Sequence, residues 1–299
     1  MISLSGHGAG IALAILAAFG FSFKAIFVKL AYPYGVDPIT LLALRMVFAL
    51  PVFLWVGLAA SRGMPALSRR DWIGVIAMGL AGYYAASVFD FLGLQYISAG
   101  LERLILFTYP TLTLLFGMAL TRRLASRREV LALALCYLGI GAAFWHDLEF
   151  ADDAATIWLG GGLVFGSALC YAIYLTGSAQ MIARLGTARF AALATLVSTA
   201  AVLGHFLATQ PLQRLVQPWP VYGYALAMGV FCTALPIFAQ SAAIRRLGSP
   251  RVALVSMLGP LATIGFAVWL LGEPLSLAQV AGALLVIGGI ATISRRTRN

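Results

Sequence analysis

Charge is what this sequence has least of. Asp, Glu, Lys and Arg make up 10% of its 299 residues, against roughly 25% in a soluble domain. So few charges cannot cover a water-exposed surface, and a disordered chain would need more of them. Cysteine is scarce too. Cys136, Cys170 and Cys232 all fall in apolar runs without CxxC spacing, which excludes a disulfide scaffold and leaves buried thiols. His7, His146 and His205 lie far apart, and there is no HExxH, Walker loop or GxSxG. No metal, cofactor or catalytic residue is therefore expected. Residues 1–9 hold no Lys or Arg, so the first apolar run is expected to remain as a membrane span instead of serving as a signal peptide.

What is present is apolar. Hydrophobic residues make up 62% of the chain and the mean hydropathy is +0.94. With about 20 apolar residues per crossing, the sequence predicts ten spans, near 10–31, 38–60, 72–93, 100–121, 129–146, 157–180, 188–208, 219–242, 251–271 and 275–293. The connections are short and hold breakers such as Tyr32-Pro33-Tyr34-Gly35 and Gly248-Ser249-Pro250. The expected fold is an all-α polytopic membrane protein whose main partner is the lipid bilayer.

Lys and Arg outnumber Asp and Glu by 20 to 10. In a soluble protein that excess would suggest nucleic acid. Here the basic residues sit in tracts between spans, so topology is the better reading and no nucleic-acid partner is expected. Arg62, Arg69, Arg70, Arg122, Arg123, Arg127, Arg128, Arg184, Arg189, Arg245, Arg246, Arg251, Arg295, Arg296 and Arg298 fall on one side. The other side holds Lys29, Arg214 and the acidic stretch from Asp147 to Asp153. By the positive-inside rule the basic side is cytoplasmic. The chain is then a multi-pass protein of the plasma (inner) membrane with both termini inside.

The sequence also repeats itself at an offset of 150. Pro110, Thr113, Phe116, Gly139 and Ile140 match Pro260, Thr263, Phe266, Gly289 and Ile290 without a gap, and near an offset of 151 Gly10 and Gly35 match Gly161 and Gly186. Each unit has five spans, and an odd number inverts the second copy. The expected organisation is a five-helix repeat over 1–146, a second over 157–293 and a basic cytoplasmic tail at 294–299. Inverted repeats mark secondary transporters.

Residues 257–290 read Met-Leu-Gly-Pro-Leu-Ala-Thr, then Leu-Leu-Gly-Glu-Pro-Leu-Ser and Gly-Ala-Leu-Leu-Val-Ile-Gly-Gly-Ile. Residues 93–113 read Gly-Leu-Gln-Tyr-Ile-Ser-Ala-Gly and Phe-Thr-Tyr-Pro-Thr-Leu-Thr. Both resemble the EamA-type members of the drug/metabolite transporter superfamily, and the likeness covers the chain as two copies of the family unit. The resemblance implies a ten-helix, inverted-repeat carrier, often an exporter of amino acids or related metabolites. It is nearly silent on substrate. One departure is that Gly272-Glu273-Pro274 of the second unit faces Arg122-Arg123-Leu124 in the first, so any role of Glu273 is not doubled.

Charges within spans each need a reason. Lys24, Arg45, Asp90, Glu102 and Arg103 all fall in the outer half of the predicted spans and in the first repeat. They read as an outer gate or charged vestibule, with Asp90 or Glu102 as a proton carrier, or else as structural pairing with snorkelling to the interface. Tyr83, Ser87 and Asp90 would share a face on an ideal α-helix. At mid-depth lie Tyr83, Tyr84, Tyr109, Tyr171 and Phe231 beside Pro110 and Pro260. These are the candidate substrate-binding residues, since a proline frees a carbonyl one turn back; helix packing and simple kinking are the other readings. Glu273 is expected at the surface. The substrate expected is a small zwitterionic or weakly charged solute, carried by alternating access, with a monomer or homodimer as the carrier. A nucleotide-sugar or phosphate-ester exchanger of the same superfamily would want several midplane Lys or Arg residues. A membrane enzyme would want a cluster of His, Asp and Glu, and a channel a polar ring.

Overall fold

The computed structural model describes residues 6–122, 124–149, 153–247, 252, 255–256 and 258–294. Arg123, Asp152, Gly248-Ser249-Pro250, Arg251 and the basic tail beyond Ser294 lie outside the described residues. The described chain is nearly all helix: α1 (Gly6–Ala31), α2 (Pro38–Ser61), α3 (Arg69–Gly93), α4 (Ala99–Thr121), α5 (Arg127–Glu149), α6 (Ala154–Leu185), α7 (Thr187–Thr209), α8 (Trp219–Ile244), α9 (Gly259–Leu271) and α10 (Leu277–Ser294). Eight of these are long and apolar enough to cross a membrane. The stretches Gly259–Leu271 and Leu277–Ala291 are apolar but shorter. Within the ninth predicted span Val252, Val255 and Ser256 are helical, and a turn at Leu258, just ahead of Pro260, precedes α9.

Local chemistry sets where the helices start. Asp37 accepts from the Thr40 amide at 2.9 Å with Pro38 in the first turn. Ser68 and Asp71 close a capping box. Ser126 and Glu129 exchange hydrogen bonds ahead of α5, and 150 residues later the Ser276 hydroxyl accepts from the Gln279 amide ahead of α10.

The repeat is written into irregularities as well as helices. In α3 the stretch Leu80–Ala85 is a wide π turn, and in α8 the stretch Val230–Ala234 is another, at the same place in the second copy. Helix α4 breaks where Thr108 N–H bonds to the Ile105 carbonyl; the Leu258 N–H bonds to the Val255 carbonyl in the same way ahead of α9. Gly35 and Gly186 both take left-handed φ, 79° and 78°. The contacts of Gly10 correct its pairing. It packs on Leu247 and Arg246, and Gly160, not Gly161, packs on the equivalent Ile97 and Tyr96.

Small residues let the two copies touch backbone to backbone. A methyl group added at Gly139 would lie 2.6 Å from the Gly282 carbonyl oxygen, and one at Gly289 would lie 2.7 Å from that of Ala132. Ala132 and Gly282 are themselves 150 apart, so α5 and α10 meet about a pseudo-twofold axis. Cys136 donates to the Val286 carbonyl there at 3.6 Å. Gly79 and Gly229 do the same across the repeats, against the carbonyl oxygens of Ala194 and Arg45. Such close approach is how helices associate where apolar surface alone gives no driving force.

One end of the bundle holds the start of α1 and the end of α10; call it the termini end, and its opposite the far end. At the far end a single apolar cluster joins both copies, with Leu41, Leu42, Val88, Leu94 and Phe206 buried and Leu92 and Leu203 packed against them.

Candidate functional site

The ionised residues of the first repeat converge in the far half of the bundle. Lys24 of α1 bonds Asp90 of α3 at 2.7 Å and Glu102 of α4 at 3.4 Å. Both carboxylates are buried and share this one lysine, and Asp90 Oδ1 and Glu102 Oε2 have no hydrogen-bond partner. Two buried carboxylates on one lysine cannot both hold full charge at low cost. Arg45 of α2 is buried. Its Nε donates to Thr233 of α8 at 3.1 Å, its guanidinium lies 5.5 Å from the Phe91 ring, and Nη1 has no hydrogen-bond partner. Arg103 is 7% exposed, lies 5.1 Å from the Phe107 ring, and its Nε has no hydrogen-bond partner.

A chain of rings leads from Arg103 toward the termini end. Phe107 meets Tyr109 at 5.8 Å, Tyr109 meets Tyr171 edge-on at 4.9 Å, and Tyr171 stacks on Tyr174 at 5.7 Å. Tyr174 then meets Tyr83 at 5.0 Å, with the two hydroxyls 3.0 Å apart. The α4 break stands at one end of this wall, with Pro110 in the first turn after it. Pro260 occupies the matching place in α9, where the Ser22 hydroxyl of α1 donates to the neighbouring Gly259 carbonyl at 3.1 Å.

Tyr83, Tyr109 and Tyr171 are thus brought together, and so are Lys24, Asp90 and Glu102. Tyr84 and Phe231 do not join them. The Tyr84 hydroxyl pairs with His205 Nδ1 at 3.0 Å, and Phe231 is 58% exposed. Tyr83 sits inside the π turn, which widens the helix between it and Asp90. Its hydroxyl meets Tyr174, and Asp90 meets Lys24 instead of sharing Tyr83's surroundings. Glu273 is half-buried, not a free surface carboxylate: it accepts from the Ala99 amide at 3.0 Å, at the positive end of α4.

Sequence reading missed several partners. Ser22 and Thr233 lie on apolar helices with no motif around them, and Tyr32, whose hydroxyl donates to the Phe91 carbonyl, was legible only as the first residue of a turn. Tyr174 was visible only as another mid-depth aromatic. Among the described residues no group of three His, Cys, Asp or Glu could hold a metal ion.

A cavity of about 580 Å³ lies elsewhere, at the termini end between α2, α7 and α8. Phe53, Val56, Ala191, Ala192, Ile237 and Phe238 line it. None of the sequence-predicted site residues does. Counting back or forward 150 residues gives Leu203, Phe206, Leu41, Leu42, Ser87 and Val88, and all but Ser87 belong to the closed apolar cluster of the far end. Phe53, Val56 and Ala192 are themselves buried, with Ile237 and Phe238 packed against them, so the cavity opens at the edge of a packed apolar cluster.

Two five-helix units, related by inversion and meeting at broken helices in the bilayer, make a membrane transporter fold. The sequence profile of the EamA-like transporter family matches the chain twice, over residues 8–145 and 158–295. The chain belongs to this family, and so to the drug/metabolite transporter superfamily. It is 27% identical over 281 residues to the uncharacterized transporter YcbK of Bacillus subtilis (strain 168), covering 92% of this chain and 89% of that one. An uncharacterized transporter of Archaeoglobus fulgidus is 24% identical, with 96% and 98% covered. A crystal structure of another protein superposes with a TM-score of 0.68 at 19% identity, over 98% of this chain and 99% of that one, which shows the shared fold. The names of the family and of these relatives point to transport, not catalysis.

Proposed function

We propose that the protein is a secondary transporter that exports a small organic metabolite by alternating access, coupled to protons. The observation that carries this reading is the inverted repeat itself, with matching helix breaks ahead of Pro110 and Pro260. A cavity of about 580 Å³ borders the packed cluster of the termini end, and a carrier halted in one of its two states would have such a space on one side. The basic loops argue that the termini end faces the cytoplasm, so this state would be open inward, in the inner membrane. The buried Asp90–Glu102 pair on Lys24 is the natural proton carrier. One proton held between the two carboxyl groups leaves one negative charge for one lysine, and losing that proton as the far end opens to water would couple the two events. The Arg45 and Arg103 guanidinium groups lie near the pair as well.

The test is counterflow in proteoliposomes with a panel of labelled amino acids and organic acids. A carrier exchanges at least one of them saturably and accelerates when unlabelled solute is on the trans side. Linear, non-saturating flux would make the protein a channel, and the proposal would be withdrawn.

A further inference from the structure

Three donors stand together on the ring wall without acceptors. Arg103 makes no hydrogen bond and no ion pair within 4 Å among the described residues, and its Nε is fully enclosed. Tyr109 and Tyr171 follow it along the wall: Arg103 lies 5.1 Å from the Phe107 ring, Tyr109 5.8 Å from Phe107, and Tyr171 4.9 Å from Tyr109. Neither of their hydroxyls has a hydrogen-bond partner among the described residues, although the hydroxyls of Tyr83 and Tyr174 further along the wall are paired with each other. An enclosed guanidinium without a counter-ion is costly to keep, and removing such charge from water costs several kcal/mol by the usual estimate. The nearest carboxylate, Glu102, already serves Lys24. The local charge does not balance either: Lys24, Arg45 and Arg103 face Asp90 and Glu102, which leaves an excess of positive charge even with both carboxylates ionised.

We propose that Arg103, with the Tyr109 and Tyr171 hydroxyls, is the seat for the carboxylate of an organic monocarboxylate substrate whose apolar or aromatic body lies along Phe107, Tyr174 and Tyr83. The guanidinium offers the planar fork that a carboxylate fits, the hydroxyls donate to its remaining lone pairs, and the rings supply apolar surface with edge and face contacts. A phosphate dianion would call for more than one such fork at this place. Asp90 and Glu102 each spend one oxygen on Lys24, and Asp90 Oδ1 and Glu102 Oε2 have no hydrogen-bond partner, so an ammonium group is the competing ligand, and benzylamine tests it. The proposal rests on the reading of the chain as a transporter only in calling the bound molecule a substrate.

Binding and transport separate the two ideas. Titration calorimetry of the detergent-purified protein is run with benzoate, benzamide and benzylamine, and counterflow with labelled benzoate in proteoliposomes. Benzoate is expected to bind with benzamide and benzylamine at least about tenfold weaker, the size of one lost charge-assisted interaction. Arg103→Gln is expected to erase the preference for benzoate over benzamide, Arg103→Lys to keep part of it, and Tyr171→Phe to weaken benzoate about tenfold without moving benzamide. The Lys and Phe variants keep the question answerable if Arg103→Gln fails to fold. Equal binding of benzoate and benzamide to the unaltered protein, or an unchanged preference in Arg103→Lys and Tyr171→Phe together, overturns the seat. Benzoate binding with no saturable exchange of any solute in the panel keeps the seat and overturns the transport reading. Saturable exchange of a solute without a carboxylate, with no benzoate binding, does the reverse.

Discussion

Lys24 is the hinge of the charged cluster, because two carboxylates depend on it and it has no other bonded partner. Its removal and the removal of one carboxylate should therefore differ sharply. Asp90→Asn leaves Lys24 with Glu102, keeps a polar group of the same shape and removes one half of the shared-proton pair. It is expected to abolish the pH dependence of transport while substrate exchange persists. Normal pH-driven uptake by the variant in proteoliposomes would remove Asp90 from the coupling scheme. Lys24→Met strands two buried carboxylates, and breaking a buried pair in this way costs about 3–5 kcal/mol. The expected result is a large fall in the melting temperature of the purified protein, largely restored in the Lys24→Met/Asp90→Asn double variant. If the double variant melts as low as the single one, Lys24 serves something other than these carboxylates. The five charges of the cluster were legible in the sequence, since an ionised side chain in an apolar run stands out and insertion chemistry demands a partner for it. Who pairs with whom was not. Asp90 and Glu102 meet Lys24 through the packing of α1, α3 and α4, and hydroxyl partners such as Thr233 look like any other threonine on a membrane helix.

The broken helices were legible for the same reason that the π turns were not. Pro110 and Pro260 each forbid a backbone hydrogen bond, so a break near them is written in the residue itself. A π turn has no such token. Leu80–Ala85 and Val230–Ala234 each directly follow a glycine, Gly79 and Gly229, that lies close against a neighbouring backbone, and an ideal-helix reading therefore misplaces Tyr83 relative to Asp90. The end of α4 shows the repeat from another angle. Arg122 takes φ 50°, the only positive φ at a non-glycine among the described residues, and its counterpart after α9 is Gly272 at 67°. A left-handed residue with a side chain costs about 1–2 kcal/mol, partly offset by the entropy a glycine loses on folding. Arg122→Gly is thus expected to raise stability slightly, by up to about 1 kcal/mol, and Gly272→Ala to lower it by about the same amount; thermal unfolding in detergent reads both. Gly139→Leu is a sterner case. It would force α5 and α10 apart at a contact where even a methyl group lies 2.6 Å from a carbonyl oxygen. A drop in folded yield and melting temperature is expected, and Gly141→Leu, where nothing stands in the way, is the control that should be tolerated.

At the scale of the whole molecule, the halves share one plan, and a cavity borders the packed cluster at the termini end. If the termini end is open to the cytoplasm, single cysteines at Ala191 and Phe238 should react with a membrane-impermeant maleimide applied from that side. Cysteines at Leu41 and Val88, their counterparts, should resist reagent applied from the other side until substrate or a pH gradient shifts the population. Equal reactivity of the two pairs would mean that the asymmetry is not a transport state. Sequence alone carried the number of copies and their offset, because prolines and glycines in register survive in apolar sequence where Leu and Val matches mean nothing. It could not carry the asymmetry, since the same residues must serve both states.

The contact between Cys136 and Val286 has a further consequence. These two residues hold the same place in the two halves, and a position can touch its own counterpart only on the axis that relates them. A five-helix piece thus already bears a face that fits itself when turned over, as one protomer of an antiparallel dimer would. The chemistry joining the halves is in that face and not in the peptide that strings them together. Cut into 1–149 and 153–299 and made from two genes in one cell, the protein should assemble again as a heterodimer, with the strap replaced by nothing more than the bilayer that holds both pieces.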